Sequence, residues 1–294
     1  MDIQWYPGHM AKAKRLLQTQ LTKIDLAIEL CDARLPLSSR NPVLDELLRG
    51  RRRVLLLCKA DLARPQQTKA WLAYFKSLGI EAMDYDATPQ KTKQAKALIE
   101  KAAAQVTQRG LERGMQKTIR AMVVGVPNVG KSTFINRLYG GGITQVADRP
   151  GVTRSNRWVK VSPYLEVMDT PGMLWPKLGD PMAATRLAYI GTISDAVYDQ
   201  EALCIHLLED LMRVLPQSTA QRYKIKDLQA GGHGLLEEVC RGRGFLMRGG
   251  VYDLERACAV VLDEFREGKV GRITLESPPA AQDSPPLPKE PGDE

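Results

Sequence analysis

No stretch of this 294-residue chain is apolar for long enough to cross a bilayer, and its N-terminus lacks the apolar core of a signal peptide. Its five cysteines (Cys31, Cys58, Cys204, Cys240, Cys258) are scattered, odd in number and form no C-x-x-C pair. That pattern argues for a reducing compartment and against both a disulfide framework and a zinc site. Histidine is scarce, with three in all, and His206 and His233 have no supporting site pattern. There is no internal repeat. What remains is an ordinary globular composition, 44% apolar, long enough for one large domain or two modest ones.

The charge is uneven. The chain carries a net +8, but Glu276 to Glu294 holds five acids and one lysine, so the rest carries +12. A surplus of that size predicts a polyanionic partner, with nucleic acid the leading candidate. The same stretch from Ser277 has six prolines in the fifteen residues to Pro291 and no apolar periodicity. A disordered, proline-rich acidic tail over 276–294 is expected.

The most specific signal runs from Ile119 to Leu138. Ala121 to Val124 reads as a buried strand, and Thr133 to Leu138 continues at helical spacing. Between them lies Gly125-Val126-Pro127-Asn128-Val129-Gly130-Lys131-Ser132, which fits G-x-x-x-x-G-K-[ST] with strand before and helix after. Glycine lets the backbone approach a polyphosphate, successive N–H groups face the anion, and the positive end of the helix adds attraction. Asn128, Val129, Gly130, Lys131, Ser132 and Thr133 are therefore expected to line the phosphates of a nucleoside triphosphate. Lys131 reaches the β- and γ-phosphates and Ser132 ligates Mg²⁺. Downstream, the strand Leu165 to Met168 ends in Asp169-Thr170-Pro171-Gly172. Asp169 can reach the metal through water and the Gly172 N–H can meet the γ-phosphate. Thr153, in Pro150-Gly151-Val152-Thr153-Arg154, supplies a second expected Mg²⁺ ligand between the two.

Ahead of the phosphate loop the chain alternates strand and helix. Leu26 to Cys31 and Val54 to Leu57 read as buried strands, Glu81 to Tyr85 as a short one. Val43 to Leu48, Trp71 to Leu78 and Lys93 to Val106 read as helices. A basic helix from Lys12 to Lys23 either packs by its leucines or also touches phosphate. Beyond Pro181 strand patterns stop, and Glu201–Leu215, Leu235–Cys240 and Leu254–Phe265 read as helices. The expected organisation is an α/β nucleotide domain over 1–180 and a small all-α domain over 181–275. Arg241, Arg243, Arg248, Arg256 and Arg266 make the latter a candidate RNA surface.

The order of the pieces is informative. Guanine-nucleotide switches read the base with N-K-x-D at a strand end, normally after the phosphate loop. Here only Cys58-Lys59-Ala60-Asp61 fits, and it lies before the loop. Asp86-Ala87-Thr88 stands where a Ser-Ala-Lys-like second base element is needed. The order is circularly permuted, which a sheet tolerates when surface chain ends are rejoined. With this order, Trp5-Tyr6-Pro7-Gly8-His9-Met10, Asp32-Ala33-Arg34 and the closing Gly268-Lys269-Val270-Gly271-Arg272-Ile273, the chain resembles the YlqF/RbgA family of circularly permuted ribosome-assembly GTPases over about residues 1–275.

The resemblance implies a P-loop GTPase acting late in assembly of the large (50S) ribosomal subunit, bound to rRNA with help from its helical domain. It implies GTP/GDP and Mg²⁺ as ligands and a slow intrinsic rate that rises on the ribosomal particle. Met173 stands where Ras-like switches carry a water-orienting glutamine, and the resemblance offers His9 as the catalytic residue instead. It also offers Asn128 as a K⁺ ligand. Two positions depart from the family: Cys58 replaces its asparagine and Asp86 its serine. A thiol is a poor substitute for an amide. Asp61, the main guanine reader, remains, so guanine preference with weakened affinity is expected. Two rival readings stand: an RNA-binding assembly factor whose base site has lost nucleotide control, and a P-loop protein that also accepts ATP. The expected setting is the bacterial cytoplasm, or the mitochondrial matrix as the alternative, and the expected state is a monomer.

Overall fold

The computed structural model describes residues 18–48, 51–111, 118–140, 157–162, 165–170, 181–194 and 197–279. His9, Thr153, Gly172 and Met173 lie outside them, as do the Trp5 motif, Pro150 to Arg154 and the chain from residue 280.

Among the described residues six strands form one sheet: β1 (Leu26–Asp32), β2 (Arg52–Cys58), β3 (Glu81–Tyr85), β4 (Ile119–Gly125), β5 (Arg157–Ser162) and β6 (Leu165–Asp169). Their order is β3-β2-β1-β4-β6-β5, parallel except for β5, which runs antiparallel to β6. Every residue of β1 is buried, as a strand covered on both faces requires. Its alternate residues serve different layers. Leu26, Ile28 and Leu30 join the cluster of α3 (Pro89–Leu111) and α4 (Lys131–Tyr139) through Ala95, Ile99, Phe134 and Ile135. Ala27 packs with Leu44 of α1 (Pro42–Leu47), and Cys31 with Trp71 and Phe75 of α2 (Pro65–Ser77). Glu29 faces that second layer, where Arg40 and Arg53 pair with its carboxylate at 3.1 and 3.2 Å. A charge in the middle of an apolar strand is thus matched by two cations.

Five more helices follow: α5 (Pro181–Tyr189), α6 (Gln200–Val214), α7 (Pro216–Tyr223), α8 (His233–Arg243) and α9 (Leu254–Arg266). Asp199 and Asp253 accept backbone N–H bonds at the starts of α6 and α9, and Pro216 opens α7 in its first turn. α5 and α7 are two short helices that apolar spacing did not reveal. The helices' core residues, among them Leu187, Leu207, Leu211, Leu236, Val261 and Phe265, belong to the same apolar cluster as Leu26 and Phe134.

Past α9 the chain returns to the sheet. Ile273 N–H donates to the Leu62 carbonyl and Leu275 N–H to the Arg34 carbonyl, both at 2.9 Å. Glu276, assigned to the tail by composition, is buried instead. Its carboxylate accepts from the Leu37 and Ser38 amides at 2.7 and 3.2 Å and from the Ser38 hydroxyl, and its carbonyl from Trp71 Nε1 at 3.2 Å. The packed chain therefore continues through Glu276, which satisfies amides that the loop after β1 leaves open.

Candidate nucleotide site

The strands are laid down in opposite directions from β1 and β4, which run parallel to each other: β2 and β3 lie to one side, β6 and β5 to the other. In an open α/β sheet that switch point leaves a crevice beyond the carboxyl ends of the strands. The described motifs converge there. Asp32–Arg34 begins at the last residue of β1 and Cys58–Asp61 at the last residue of β2, Asp86–Thr88 follows β3, the phosphate loop leaves the end of β4, and Asp169 ends β6.

The phosphate loop leaves β4 at Gly125, where a Cβ would lie 2.6 Å from the Leu30 carbonyl oxygen of β1. Only glycine permits that approach. Asn128 (φ 59°) and Gly130 (φ 106°) are left-handed, which turns the loop into the start of α4. Val129 is buried beneath it, and Thr133 lies in the first turn of α4. Lys131 is buried, with Nζ donating to the carbonyls of Gly125 (3.1 Å) and Val126 (2.7 Å). Burial lowers its pKa to about 8, with Asp169 opposing the shift. The ammonium thus sits on two neutral acceptors, partners that phosphate oxygens outbid as charge-assisted acceptors.

Ser132 Oγ lies 3.4 Å from Asp169 Oδ2, which brings together two expected Mg²⁺ ligands from elements 37 residues apart. Asp169 is buried, and its Oδ1 has no hydrogen-bond partner among the described residues. Burial pushes its pKa up, against Lys131. A buried carboxylate oxygen without a partner, next to a hydroxyl, suits a hard cation with oxygen ligands. The residues present fit Mg²⁺. Among the described residues no group of three His, Cys, Asp or Glu forms a metal cluster.

At the other end of the crevice, Cys58 closes β2 and is buried, which pushes its thiol pKa up and keeps it neutral. Lys59 is left-handed (φ 56°), and its Nζ lies 3.6 Å from Asp32 Oδ2. Asp61 sits exposed in the short 3-10 turn Ala60–Leu62. Asp86 accepts from Thr88 N and Oγ1 at 3.1 and 2.7 Å, and Ala87 between them is left-handed (φ 60°). Tyr85, just before, packs its ring edge-on to Phe134 of α4 at 5.2 Å, which ties the second base element to the phosphate-loop helix. A cavity of about 670 Å³ opens between α3 and α4, lined by Thr133 and by the cations Lys93, Lys96 and Arg137 among others.

Asp32-Ala33-Arg34 has a role its sequence does not disclose. Arg34 is fully buried and grips Asp32 with Nε and Nη2, each at 2.9 Å. Its Nη1 donates to the Phe265 and Arg266 carbonyls at 2.9 and 3.3 Å, at the end of α9. Burial would raise the Asp32 pKa, but Arg34 and Lys59 outweigh it and hold the carboxyl at about 2. Sequence reading also missed Thr192 and Arg266 as neighbours of the site. No local pattern marks them, since their contacts reach 65 and 77 residues along the chain.

Comparison with known proteins follows the same lines. A family model described as 50S ribosome-binding GTPase matches residues 120–231. The chain is 41% identical over 280 residues to the Ribosome biogenesis GTPase A of Bacillus cereus, covering 95% of each. It is 31% identical to the Mitochondrial ribosome-associated GTPase 1 of Xenopus tropicalis, covering 92% of this chain and 94% of that one. The crystal structure of GNP-bound YlqF from T. maritima superposes with a TM-score of 0.67 at 26% identity, over 91% of this chain and 98% of that one.

Proposed function

The chain belongs to the ribosome biogenesis GTPase A family, and from that premise we propose that it binds the maturing large ribosomal subunit through rRNA, in a manner set by its nucleotide. It is a circularly permuted P-loop GTPase, a guanine-nucleotide enzyme of ribosome assembly. The observation that carries the finer reading is Asp169, whose buried, unpartnered Oδ1 stands beside Ser132 and Lys131. In the proposed site Lys131, Gly130 and Val129 take the phosphates. Ser132, Thr153 and Asp169 would hold Mg²⁺, and the Gly172 N–H would meet the γ-phosphate. A bound Mg²⁺ would neutralise charge developing on the β- and γ-phosphate oxygens. Lys59 and Asp61 read guanine, flanked by Cys58, Asp86 and Ala87, and His9 orients the attacking water.

Asn128 donates through Nδ2 to the Gly191 carbonyl at 2.6 Å. A carbonyl only accepts, so the amide nitrogen must face Gly191 and the carboxamide oxygen points elsewhere. In the proposed site Asn128 is the K⁺ ligand. The net positive charge supports the rRNA partner. Among the described residues no helix is long and apolar enough to cross a membrane.

The test is GTP and ATP turnover with and without purified large subunits, in potassium and in sodium buffer. Subunit-stimulated, GTP-selective hydrolysis that weakens in sodium is the expected result. Tight subunit binding with no nucleotide effect and no turnover would leave an RNA-binding factor with a degenerate base site.

A further inference from the structure

We propose that the helical region completes the nucleotide site, with Thr192 and Arg266 as positioning residues that hold the phosphate loop from behind. The proposal rests on the GTPase reading above and adds residues outside its motifs.

A phosphate loop works by aiming N–H groups at the ligand, so its other edge needs a fixed support. Here that support comes from the turn after α5. Thr192, fully buried, donates through Oγ1 to the Pro127 carbonyl at 3.1 Å. The Gly191 carbonyl takes the Asn128 amide at 2.6 Å. Two consecutive loop residues are thus held by two consecutive residues of the turn. Gly191 is left-handed (φ 70°), with its N–H on the Ala188 carbonyl, and the Thr192 N–H lies on the Leu187 carbonyl. That is a glycine-ended helix terminus, which fixes the direction in which the chain leaves α5.

The turn is anchored in its own right. Arg266, the last residue of α9, donates through Nε to the Tyr189 carbonyl at 3.1 Å and through Nη2 to the Ala188 carbonyl at 3.4 Å. A guanidinium on the carbonyl end of a helix is favoured by charge and by its planar fork of donors. A Cβ on Gly191 would sit 3.4 Å from Arg266 Nε and 3.5 Å from Asn128 Nδ2, so the glycine is wedged between loop and anchor. The end of α9 is held in turn by Arg34, Arg34 by Asp32, and Asp32 lies beside Lys59. The contacts form a continuous chain. It leaves the base-reading lysine, passes through the helical region and ends at the phosphate loop.

Such a loop is ordered before nucleotide arrives, and loosening it lowers apparent affinity by the fraction of time it is misplaced. Thr192→Val keeps the shape, removes the hydroxyl and leaves the Pro127 carbonyl without its partner. We expect it to speed release of a fluorescent GDP about tenfold, with Thr192→Ser restoring the rate. Arg266→Met is expected to act in the same direction. For both, KM for GTP rises while kcat at saturating GTP stays near that of the unsubstituted protein. Arg222→Met is the control, because Arg222 pairs with Glu264 on the same helix but outside these contacts. It should lower thermal stability without changing GDP release. Hydrogen exchange needs no variant: GDP should protect the amides of 187–192 together with those of 126–131.

Unchanged GDP release in folded Thr192→Val and Arg266→Met proteins would overturn the proposal. So would protection confined to 126–131. If the unsubstituted protein held neither GDP nor GTP, the GTPase reading itself would fall, which is a distinguishable result.

Discussion

At the β1–β3 end of the crevice, Asp32 is gripped by Arg34 and approached by Lys59, and its carboxyl is held at about 2. At the β4–β6 end, Lys131 rests on two backbone carbonyls with its pKa lowered to about 8, and Asp169 keeps one oxygen without a partner. The first end has compensated its charges internally. The second holds a cation on neutral carbonyls and an acid with one oxygen lacking a partner among the described residues, a state that burial makes costly and that the proposed magnesium-bound polyphosphate would relieve. The base end is therefore a scaffold that exists before ligand, and the phosphate end is the part whose energy changes when ligand binds.

The sharpest way to break that contrast is Lys131→Met. Two charge-assisted bonds to phosphate, each about 1.5–3 kcal/mol, vanish. Affinity for a non-hydrolysable GTP analogue should fall more than about a hundredfold in equilibrium binding, and near-normal affinity would remove Lys131 from the ligand's contacts. Next comes Arg34→Met, which strands a buried carboxylate at the scaffold end. Denaturant unfolding should show a loss of about 3–5 kcal/mol, and a loss below about 1 kcal/mol would mean that the clasp is not structural.

A smaller effect follows from pH. Phosphates favour the Lys131 ammonium, so its pKa is higher in the complex than the value near 8 in the free protein. Above pH 8 binding must then take up a proton. Affinity should fall with rising pH between 8 and 9, by at most about tenfold per unit. A flat profile with no proton uptake in calorimetry would place Lys131 fully charged before binding. The smallest effect is at the base. Cys58→Asn supplies an amide where a neutral thiol now sits, and a gain of about 0.5–1.5 kcal/mol, up to tenfold in GDP affinity, is expected. Weaker binding would mean that the buried end of β2 has no room for the larger group.

The phosphate end was legible because its chemistry is written in consecutive residues. Strand, Gly125 to Ser132 and helix appear in one window, and Asp169 ends a strand that its apolar run reveals. The permuted order was legible for the same reason, since Cys58–Asp61 and Asp86–Thr88 each follow a readable strand. What escaped is nonlocal. Arg34 meets a carbonyl 231 residues away, and Glu276 amides 239 and 238 away. Neither contact leaves a period in the sequence. Helix starts were misplaced where the hydrophobic face begins late: α2 opens at Pro65, six residues before Trp71, its first large buried residue. Proline in the first turn was the available signal. Glu29 was readable only as part of an apolar strand, because Arg40 and Arg53, which make it tolerable, stand on other elements.

The return of residues 273–276 to the loop after β1 has a consequence in time. Translation is vectorial, and β1 with Asp32 and Arg34 is made early, whereas its partners Phe265, Leu275 and Glu276 come more than two hundred residues later. Through most of its own synthesis the nascent polypeptide carries the Asp32–Arg34 edge without the distant partners that clasp it. Contacts this distant along the chain also make closure a slow step. A factor that acts on ribosomes thus reaches its finished nucleotide crevice only after the ribosome producing it has added residue 276.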